Sequence, residues 1–213
     1  MEGIFGILKP VGMTSHDVIH KLRLKTGVQR IGHAGTLDPL ASGVLVVAVG
    51  RKYTKQIGSI VQKDKEYRVT ATLGEYSATD DAEGEKTKVY VAVTPTKESV
   101  LSHISNFKGN ILLRPPAYSA IKVRGKRAYA LARKGKPVDL EKRPALIKEI
   151  ECLLYSWPSV TLRIVTGPGV YVRSIIRELG DVLKCGAFVS QLERTRVGDF
   201  TKDKCLTLTE IVT

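Results

Sequence analysis

The stretch Gly32-His33-Ala34-Gly35-Thr36-Leu37-Asp38-Pro39-Leu40-Ala41-Ser42-Gly43 leads directly into Val44-Leu45-Val46-Val47-Ala48-Val49-Gly50. The apolar run at residues 44–49 predicts a buried strand, and the glycines before it predict a turn. Asp38 lies on that turn, and no other acidic residue occurs between Asp17 and Asp64. Because a charged group is costly to bury without a partner, an isolated carboxylate beside a rigid strand is a candidate covalent catalyst.

Asp38 has two interpretations. An Asp followed by Pro suits the N-cap and first position of a helix, and the dipeptide alone favours this structural role. Gly32, Gly35 and Gly43 instead permit unusual backbone angles and the close approach of a ligand, and they favour a functional role. In such a loop the carboxylate could attack an electron-poor carbon as a nucleophile, provided that a cation keeps it ionised in a partly buried site.

The composition indicates a globular, basic protein. The chain has 213 residues, 43% of them hydrophobic, and a formal net charge of +13. The charge favours a polyanionic partner, nucleic acid before a membrane surface, with an ordinary basic enzyme as the alternative. Three scattered cysteines, Cys152, Cys185 and Cys205, support neither a disulfide framework nor a zinc site. Without a signal peptide or membrane-length apolar run, we expect a cytoplasmic protein that does not bind membranes.

Irregular mixing of helices and strands predicts an α+β fold rather than a doubly wound sheet. Residues 3–8 predict a strand, and Thr14 with Asp17 predicts a capping box at a helix start. Residues 67–73 alternate with a period of two, which places Tyr67 on the apolar face of a half-buried strand. Residues 74–84 are polar and predict a loop, and residues 148–157 and 160–165 predict strands.

A helix is predicted after the turn at residues 167–169. Its apolar stripe comprises Val172, Ile175, Ile176, Leu179, Val182 and Leu183. Arg173 lies on the margin of this stripe and is the candidate cation for Asp38, because a guanidinium stays charged and can hold a carboxylate bidentately. More commonly such an arginine snorkels at the surface: its stem covers apolar residues and its guanidinium stays in water. Arg177 lies further round, where it can pair with Asp181.

Residues 114–143 form a basic segment with interleaved tyrosines. Its cations are Lys122, Arg124, Lys126, Arg127, Arg133, Lys134, Lys136, Lys142 and Arg143, and Tyr118 and Tyr129 lie among them. A solvated charged face is the usual explanation of such a run, and an RNA-gripping flap is the alternative.

Two further residues, Tyr67 and His33, also have both a structural and a functional interpretation. Tyr67 is either a core aromatic or a group that stacks on a base or transfers a proton, and His33 is either a plain loop residue or a wedge that stacks on nucleic acid.

Together these segments resemble the TruB-type tRNA pseudouridine synthase family. The matching motifs occur in the family's order over nearly the whole chain: Gly6-Ile7-Leu8-Lys9-Pro10-Val11-Gly12-Met13-Thr14-Ser15, Gly32-His33-Ala34-Gly35-Thr36-Leu37-Asp38-Pro39, Lys65-Glu66-Tyr67-Arg68-Val69, Pro115-Pro116-Ala117-Tyr118-Ser119-Ala120-Ile121-Lys122, Tyr171-Val172-Arg173-Ser174-Ile175-Ile176 and Leu192-Glu193-Arg194-Thr195. Any one of these motifs is weak evidence for the family, whereas the whole set is specific to it.

The resemblance implies a single catalytic domain over residues 1–213, with a mixed, mainly antiparallel sheet flanked by helices, a central cleft and an RNA-gripping insertion at 115–143. It implies isomerisation of the T-loop uridine at position 55 of tRNA, which is flipped into the cleft, by a monomer without metal or cofactor. Asp38 would be the nucleophile, attacking either the ribose or the uracil ring, and Arg173 its salt-bridge partner. Tyr67 would stack on the base, His33 would fill the space left by flipped nucleotides, and Lys9, Tyr171 and Leu192 would line the pocket.

The sequence departs from the family pattern at two places. Ser77-Ala78-Thr79-Asp80-Asp81 has Ala78 where the family commonly has a carboxylate. The chain ends at Thr213, directly after the part that resembles the catalytic domain, so we expect the C-terminal RNA-binding domain of many bacterial members to be absent or reduced, with weaker tRNA binding. Two other functions are consistent with this sequence: a non-catalytic RNA-binding or chaperone protein that uses the same basic surface, and a related synthase acting on ribosomal or several RNAs.

Overall fold

The computed structural model describes residues 2–123 and 125–211 and shows an α+β protein. Arg124, one of the cations of the basic segment, and Thr213 lie outside the described residues. The strands are β1 (Gly3–Lys9), β2 (Ile31–His33), β3 (Ala41–Val49), β4 (Lys65–Leu73), β5 (Glu75–Ser77), β6 (Lys86–Lys88), β7 (Gly109–Leu113), β8 (Lys122–Val123), β9 (Lys126–Arg127), β10 (Arg143–Ser156), β11 (Ser159–Thr166), β12 (Ala187–Val197) and β13 (Phe200–Thr201). The helices are α1 (Ser15–Thr26), α2 (Arg51–Thr54), α3 (Ile57–Val61), α4 (Lys97–Ser105), α5 (Ala128–Ala132) and α6 (Val172–Val182), followed by a 3-10 turn at Lys202–Lys204.

Within the described residues, nine strands form one mixed sheet. Its order is β1-β3-β12-β4-β11-β10-β7, with β2 paired to β3 and β13 paired to β12. The pairs β1–β3, β2–β3, β7–β10 and β12–β13 are antiparallel, whereas β3 and β12 run parallel. The expected mixed, mainly antiparallel sheet is thus confirmed.

The chain divides into two compact units, and the first contains Asp38. It comprises residues 2–68, 163–168 and 191–211. Here β3 lies beside β1, with Lys9 opposite Gly43, and beside β12, with Arg194 also opposite Gly43. Its core contains Ala34, Val44, Val46, Ile60 and Val197. Complete burial of Val44, Leu45, Val46, Ala48 and Val49 confirms the predicted buried strand.

The second unit comprises residues 69–123, 125–162 and 169–190. Helix α4 packs on β10 and on α6, and α6 also packs on β7. The core of this unit includes Val100, Ile104, Leu162, Ile175 and Ile176, all buried. The apolar stripe of α6 is therefore confirmed over its first two turns. Val182 is 45% exposed, contrary to the prediction, because the helix ends at this residue.

Most local predictions agree with the structure. Thr14 and Asp17 form the predicted capping box at the start of α1, and residues 67–73 lie in β4 with alternating burial. The predicted loop at residues 74–84 is wrong in part, because it contains β5, which pairs with β6. A three-residue strand is too short to produce a recognisable alternation. None of the helices in the described part of the chain is long and apolar enough to cross a membrane.

Candidate active site

Asp38 lies in the first unit, in the loop between the antiparallel strands β2 and β3. Its backbone carbonyl accepts a hydrogen bond of 3.1 Å from the N–H of Ala41, the first residue of β3. The residue is half-buried. Because a strand rather than a helix follows it, the N-cap interpretation of Asp38 and Pro39 is wrong.

The backbone on both sides of Asp38 is held by neighbouring segments. The buried hydroxyl of Ser15 accepts a 2.8 Å hydrogen bond from the N–H of Leu37 and donates a 3.1 Å bond to its carbonyl. On the other side, the carbonyl of Pro39 accepts from the N–H of Gly12 at 2.8 Å. These contacts fix where the loop can place the Asp38 side chain.

Lys9 links the same loop to the end of β1. Its ammonium donates to the carbonyls of Met13 at 2.5 Å, Pro10 at 2.8 Å and Pro39 at 3.4 Å. Lys9 is only 1% exposed, and the carbonyl acceptors satisfy its buried donor group. The structure therefore places this sequence-predicted pocket residue at the Asp38 loop.

Arg194 on β12 is a buried cation that sequence reasoning did not single out. Its Nε donates to the carbonyl of Val44 at 2.8 Å and its Nη2 to the carbonyl of Gly35 at 3.1 Å. It thereby joins the start of the Asp38 loop to β3. A Cβ on Gly43 would lie 2.2 Å from the Arg194 carbonyl oxygen, and Gly43 has φ +100°. Glycine is required there because β12 approaches too closely for any side chain.

Three other predicted residues lie in the first unit. Tyr67 is 8% exposed on β4, and its hydroxyl makes no hydrogen bond among the described residues. Leu192 on β12 stands opposite Ala41 in the parallel register. His33 ends β2. Burial, followed by the positive charge of Arg194, lowers the pKa of His33 below its ordinary value, so its ring is neutral at pH 7.

Glu66 faces the other side of β4 and holds three strands of the first unit together. Its carboxylate accepts hydrogen bonds from Arg163 on β11 at 2.8 Å and from Thr195 on β12 at 3.0 Å. The guanidinium of Arg196 lies 3.7 Å away. Burial alone would raise the pKa of Glu66, but the bonds from Arg163 and Thr195 outweigh it and hold the pKa below its ordinary value.

We expect Glu66→Gln to lower the urea midpoint of unfolding at pH 7 because the amide cannot replace the charged acceptor. Since the folded-state pKa is depressed, the carboxylate stabilises the fold above the unfolded-state pKa and this contribution is lost as the pH falls through the folded value. The difference between variant and wild type should therefore shrink as the pH falls below the unfolded-state pKa and disappear once the pH lies below the depressed folded-state pKa. Glu193→Gln is the control, because its partner Lys202 is more than half exposed and such pairs contribute little. A pH-independent difference for Glu66→Gln would contradict the assignment.

Arg173 lies in the second unit, in the first turn of α6. Its Nη1 donates to the carbonyl of Thr79 at 3.0 Å and lies 3.3 Å from a carboxylate oxygen of Asp81, and its Nη2 donates to the carbonyl of Tyr118 at 2.9 Å. The side chains of Arg173 and Asp81 are 5% and 4% exposed. The snorkelling surface interpretation of Arg173 is therefore wrong.

Tyr171, also predicted for the pocket, is the half-buried residue that precedes α6.

Arg177 extends this arrangement by one helical turn. Its Nη1 lies 2.6 Å from a carboxylate oxygen of Asp80, and its Nη2 donates 2.5 Å to the carbonyl of Arg114. The predicted pair of Arg177 with Asp181 is wrong, because Asp181 accepts instead from the hydroxyl of Tyr76 at 2.8 Å. The loop that lacks a carboxylate at Ala78 is thus held to α6 by the next two acidic residues.

The basic segment belongs to the second unit and exposes most of its charge. Strand β8 pairs antiparallel with β9, with Lys122 opposite Arg127 and Val123 opposite Lys126, and α5 follows. Lys122, Lys126, Arg127, Arg133, Lys134, Lys136, Lys142 and Arg143 are all exposed. The guanidinium of Arg133 lies 5.6 Å from the ring centre of Tyr129. Such a surface can contact phosphates and stack on bases.

The site residues fall into two sets. The first unit brings Lys9, His33, Asp38, Tyr67 and Leu192 into one compact body, and the second contains Tyr171 and Arg173. Among the described residues, no cluster of three or more His, Cys, Asp or Glu side chains could hold a metal ion. The chemical groups present are a half-buried carboxylate, an unpartnered phenol, buried cations and an exposed basic surface. These can support nucleophilic attack, proton transfer and anion binding.

Two family models match the chain. The TruB family pseudouridylate synthase N-terminal domain matches residues 23–172, and the tRNA pseudouridylate synthase B C-terminal domain matches residues 173–213. The second match covers α6 and β12, which sequence reasoning assigned to the catalytic part. The expected absence or reduction of a C-terminal RNA-binding domain stays a prediction.

Curated relatives and solved structures agree with these matches. tRNA pseudouridine synthase B of Parabacteroides distasonis is 43% identical over 95% of this chain and 88% of its own, and that of Clostridium novyi is 40% identical over 100% and 73%. A crystal structure of a Cbf5-Nop10-Gar1 complex superposes with a TM-score of 0.77 and 29% identity over 98% of this chain. This chain spans 53% of the matched chain in that complex. The matches over the whole chain show that it belongs to the TruB family of pseudouridylate synthases and is a pseudouridine synthase, an isomerase.

Proposed function

We propose that this protein isomerises the T-loop uridine at position 55 of tRNA to pseudouridine, with Asp38 as the nucleophile. The observation that supports this proposal best is the half-buried carboxylate of Asp38 on a loop whose backbone is held on both sides, by Ser15 at Leu37 and by Gly12 at Pro39. A covalent catalyst needs such a fixed direction of attack. The reaction breaks the N-glycosidic bond and rejoins the uracil through carbon 5, so it neither consumes nor releases any other group.

The remaining site residues take roles that fit their surroundings. Arg173 is proposed as the cation that keeps the nucleophile ionised, as the family resemblance implies. Tyr67 stacks on the target base, and its hydroxyl handles the proton that leaves carbon 5 and the proton that nitrogen 1 gains. Lys9, Tyr171 and Leu192 line the pocket. The neutral ring of His33 suits stacking in the space left by flipped nucleotides, because it enters that space without a desolvated charge.

Transfer RNA is the proposed partner, bound through its T arm to a monomer in the cytoplasm. The curated relatives are named tRNA pseudouridine synthase B, and a solved neighbour with 27% identity is an H/ACA RNP bound to a substrate RNA. The exposed cations of residues 114–143 supply the charge that such a partner needs. A uridine inside a folded loop must be extruded before it can react, at a cost of a few kcal/mol, and phosphate contacts offset that cost.

The test is incubation with an unmodified tRNA transcript, followed by chemical mapping of pseudouridine. We expect modification at the T-loop uridine and none in a transcript that carries cytidine there. Binding without modification would support the non-catalytic RNA-binding or chaperone alternative and would reject the proposal. Modification of ribosomal RNA fragments in preference to tRNA would support a synthase of another specificity.

The basic segment should control tRNA affinity and its salt dependence. We expect the combined variant Lys122→Gln, Lys126→Gln and Lys134→Gln to bind tRNA about tenfold more weakly or worse. The slope of log affinity against log salt should be reduced by about 2, because fewer phosphate contacts form and fewer counterions are released on binding. The rate at saturating tRNA should change little. The same three-charge change at Lys97, Lys108 and Lys184, exposed lysines elsewhere in the second unit, is the control. Equal weakening by both combinations would mean that only net charge matters.

A further inference from the structure

Ser15 makes an unusual use of its hydroxyl. The residue is 2% exposed, and its Oγ both accepts from the N–H of Leu37 at 2.8 Å and donates to the carbonyl of Leu37 at 3.1 Å. Leu37 is itself only 3% exposed. One buried oxygen atom therefore satisfies both backbone groups of the residue immediately before Asp38.

Helix capping does not explain this arrangement. The first turn of α1 is already capped by Thr14, which accepts from the N–H of Asp17, while the Asp17 carboxylate accepts from the N–H of Thr14. Both side-chain hydrogen bonds of Ser15 among the described residues go to Leu37, which lies 22 positions away in the chain. The hydroxyl thus serves the Asp38 loop rather than its own helix.

The contact helps to fix the backbone from which the Asp38 side chain extends. The carbonyl of Leu37 and the N–H of Asp38 belong to one planar peptide, so the bond from Ser15 sets the orientation of the peptide that enters Asp38. The peptide that leaves Asp38 is set by the 3.1 Å bond from the N–H of Ala41 to the Asp38 carbonyl. Pro39 further restricts Asp38 to extended backbone angles. With both flanking peptides held, the bond from Cα to Cβ of Asp38 can point in only one direction.

From this geometry we infer that Ser15 is a positioning residue for the Asp38 carboxylate. The inference rests on the proposed role of Asp38 as the nucleophile. Without the hydroxyl, the buried N–H and carbonyl of Leu37 lose their partner, and the Leu37–Asp38 peptide rotates to find others. Since a displacement of about 1 Å at a reacting group costs on the order of 100-fold in rate, the effect appears in catalysis rather than in binding.

The experiment compares Ser15→Ala with Thr14→Ala in steady-state reactions with tRNA. Thr14→Ala removes the neighbouring helix cap, which costs about 1 kcal/mol of stability, but leaves the bonds to Leu37 in place. We expect Ser15→Ala to lower kcat by about 10- to 100-fold with the KM for tRNA nearly unchanged. Thr14→Ala should keep the wild-type kcat even if its urea midpoint falls as far as that of Ser15→Ala. A loss of kcat in both variants in proportion to stability would overturn the inference.

Two further variants keep the test decisive. Ser15→Cys preserves the approximate size of the side chain but replaces a strong hydrogen-bonding group with a weak one. We expect the kcat of Ser15→Cys to be reduced as well. If Ser15→Ala does not fold, Ser15→Cys serves as the test in its place, and a wild-type kcat in Ser15→Cys would refute the inference. Asp38→Asn in the same assay separates the two claims. If Asp38→Asn is inactive and Ser15→Ala is fully active, only the inference fails, whereas an active Asp38→Asn removes the proposed function and the inference together.

Discussion

Replacement of Asp38 with Asn is expected to abolish pseudouridine formation while tRNA still binds. The amide has nearly the shape of the carboxylate but is a far weaker nucleophile, so the covalent step is lost. We expect single-turnover rates to fall by at least about four orders of magnitude. The bonds that Ser15, Gly12 and Ala41 make to the loop involve backbone atoms of Leu37, Asp38 and Pro39, so this part of the loop remains held. Affinity for tRNA should change by less than about threefold.

The matched control is Asp203→Asn, an exposed carboxylate of the same unit. It makes the same chemical change at a position without a proposed role, and its rate should equal that of the wild type. An active Asp38→Asn enzyme would show that another group attacks the substrate. Loss of tRNA binding in Asp38→Asn would instead assign the carboxylate a role in recognition.

Arg173→Lys is expected to have the second largest effect. The guanidinium reaches Thr79, Asp81 and Tyr118 at the same time, and a single ammonium cannot reproduce that planar geometry. The side chains of Arg173 and Asp81 are 5% and 4% exposed, so the Asp81 carboxylate stays buried when it loses this donor. We expect the rate at saturating tRNA to fall by about 100-fold or more and the free energy of unfolding to fall by about 1–3 kcal/mol. Single-turnover assays and urea denaturation measure the two effects.

Arg177→Lys separates the two effects, because it makes the same substitution one turn later on α6. Arg177 holds Asp80 and the Arg114 carbonyl, so its loss should destabilise the second unit to a similar extent without a comparable loss of rate. If both variants lost activity in proportion to stability, Arg173 would be a structural residue. Nearly full activity in a folded Arg173→Lys enzyme would show that any cation suffices at this position.

The elements that the sequence predicted well have local signals. The capping box of Thr14 and Asp17 spans four consecutive residues, and the alternation of residues 67–73 can be read along one strand. Both are present in the structure. The apolar run at 44–49 predicts burial in the same way, because its pattern depends on no distant residue. Parallel pairing of β3 with β12 could not be predicted from periodicity, because the paired residues, such as Ala41 and Leu192, are far apart in the chain.

Prediction of the candidate site has the same limit, because local sequence signals do not reveal contacts between distant residues. Asp38 could be proposed from its isolation among glycines, and Arg173 from its place beside an apolar stripe, and both roles stay predictions. Ser15 and Arg194 could not be found in this way, because a serine after a helix cap and an arginine in a polar strand are ordinary features. Their importance comes from contacts with Leu37, Gly35 and Val44 that only the folded chain reveals. Helical spacing predicts a pair of Arg177 with Asp181, whereas the carboxylate that Arg177 contacts in the structure is that of Asp80.

The most direct test is a crystal structure of the enzyme with a T-arm RNA that carries 5-fluorouridine at the target position. We expect an everted nucleotide with a carboxylate oxygen of Asp38 bonded to it or within about 3.5 Å of its ribose or pyrimidine ring. A bound T arm whose target nucleotide lies away from Asp38, with that carboxylate facing bulk water, would contradict the proposed role of Asp38 as the nucleophile.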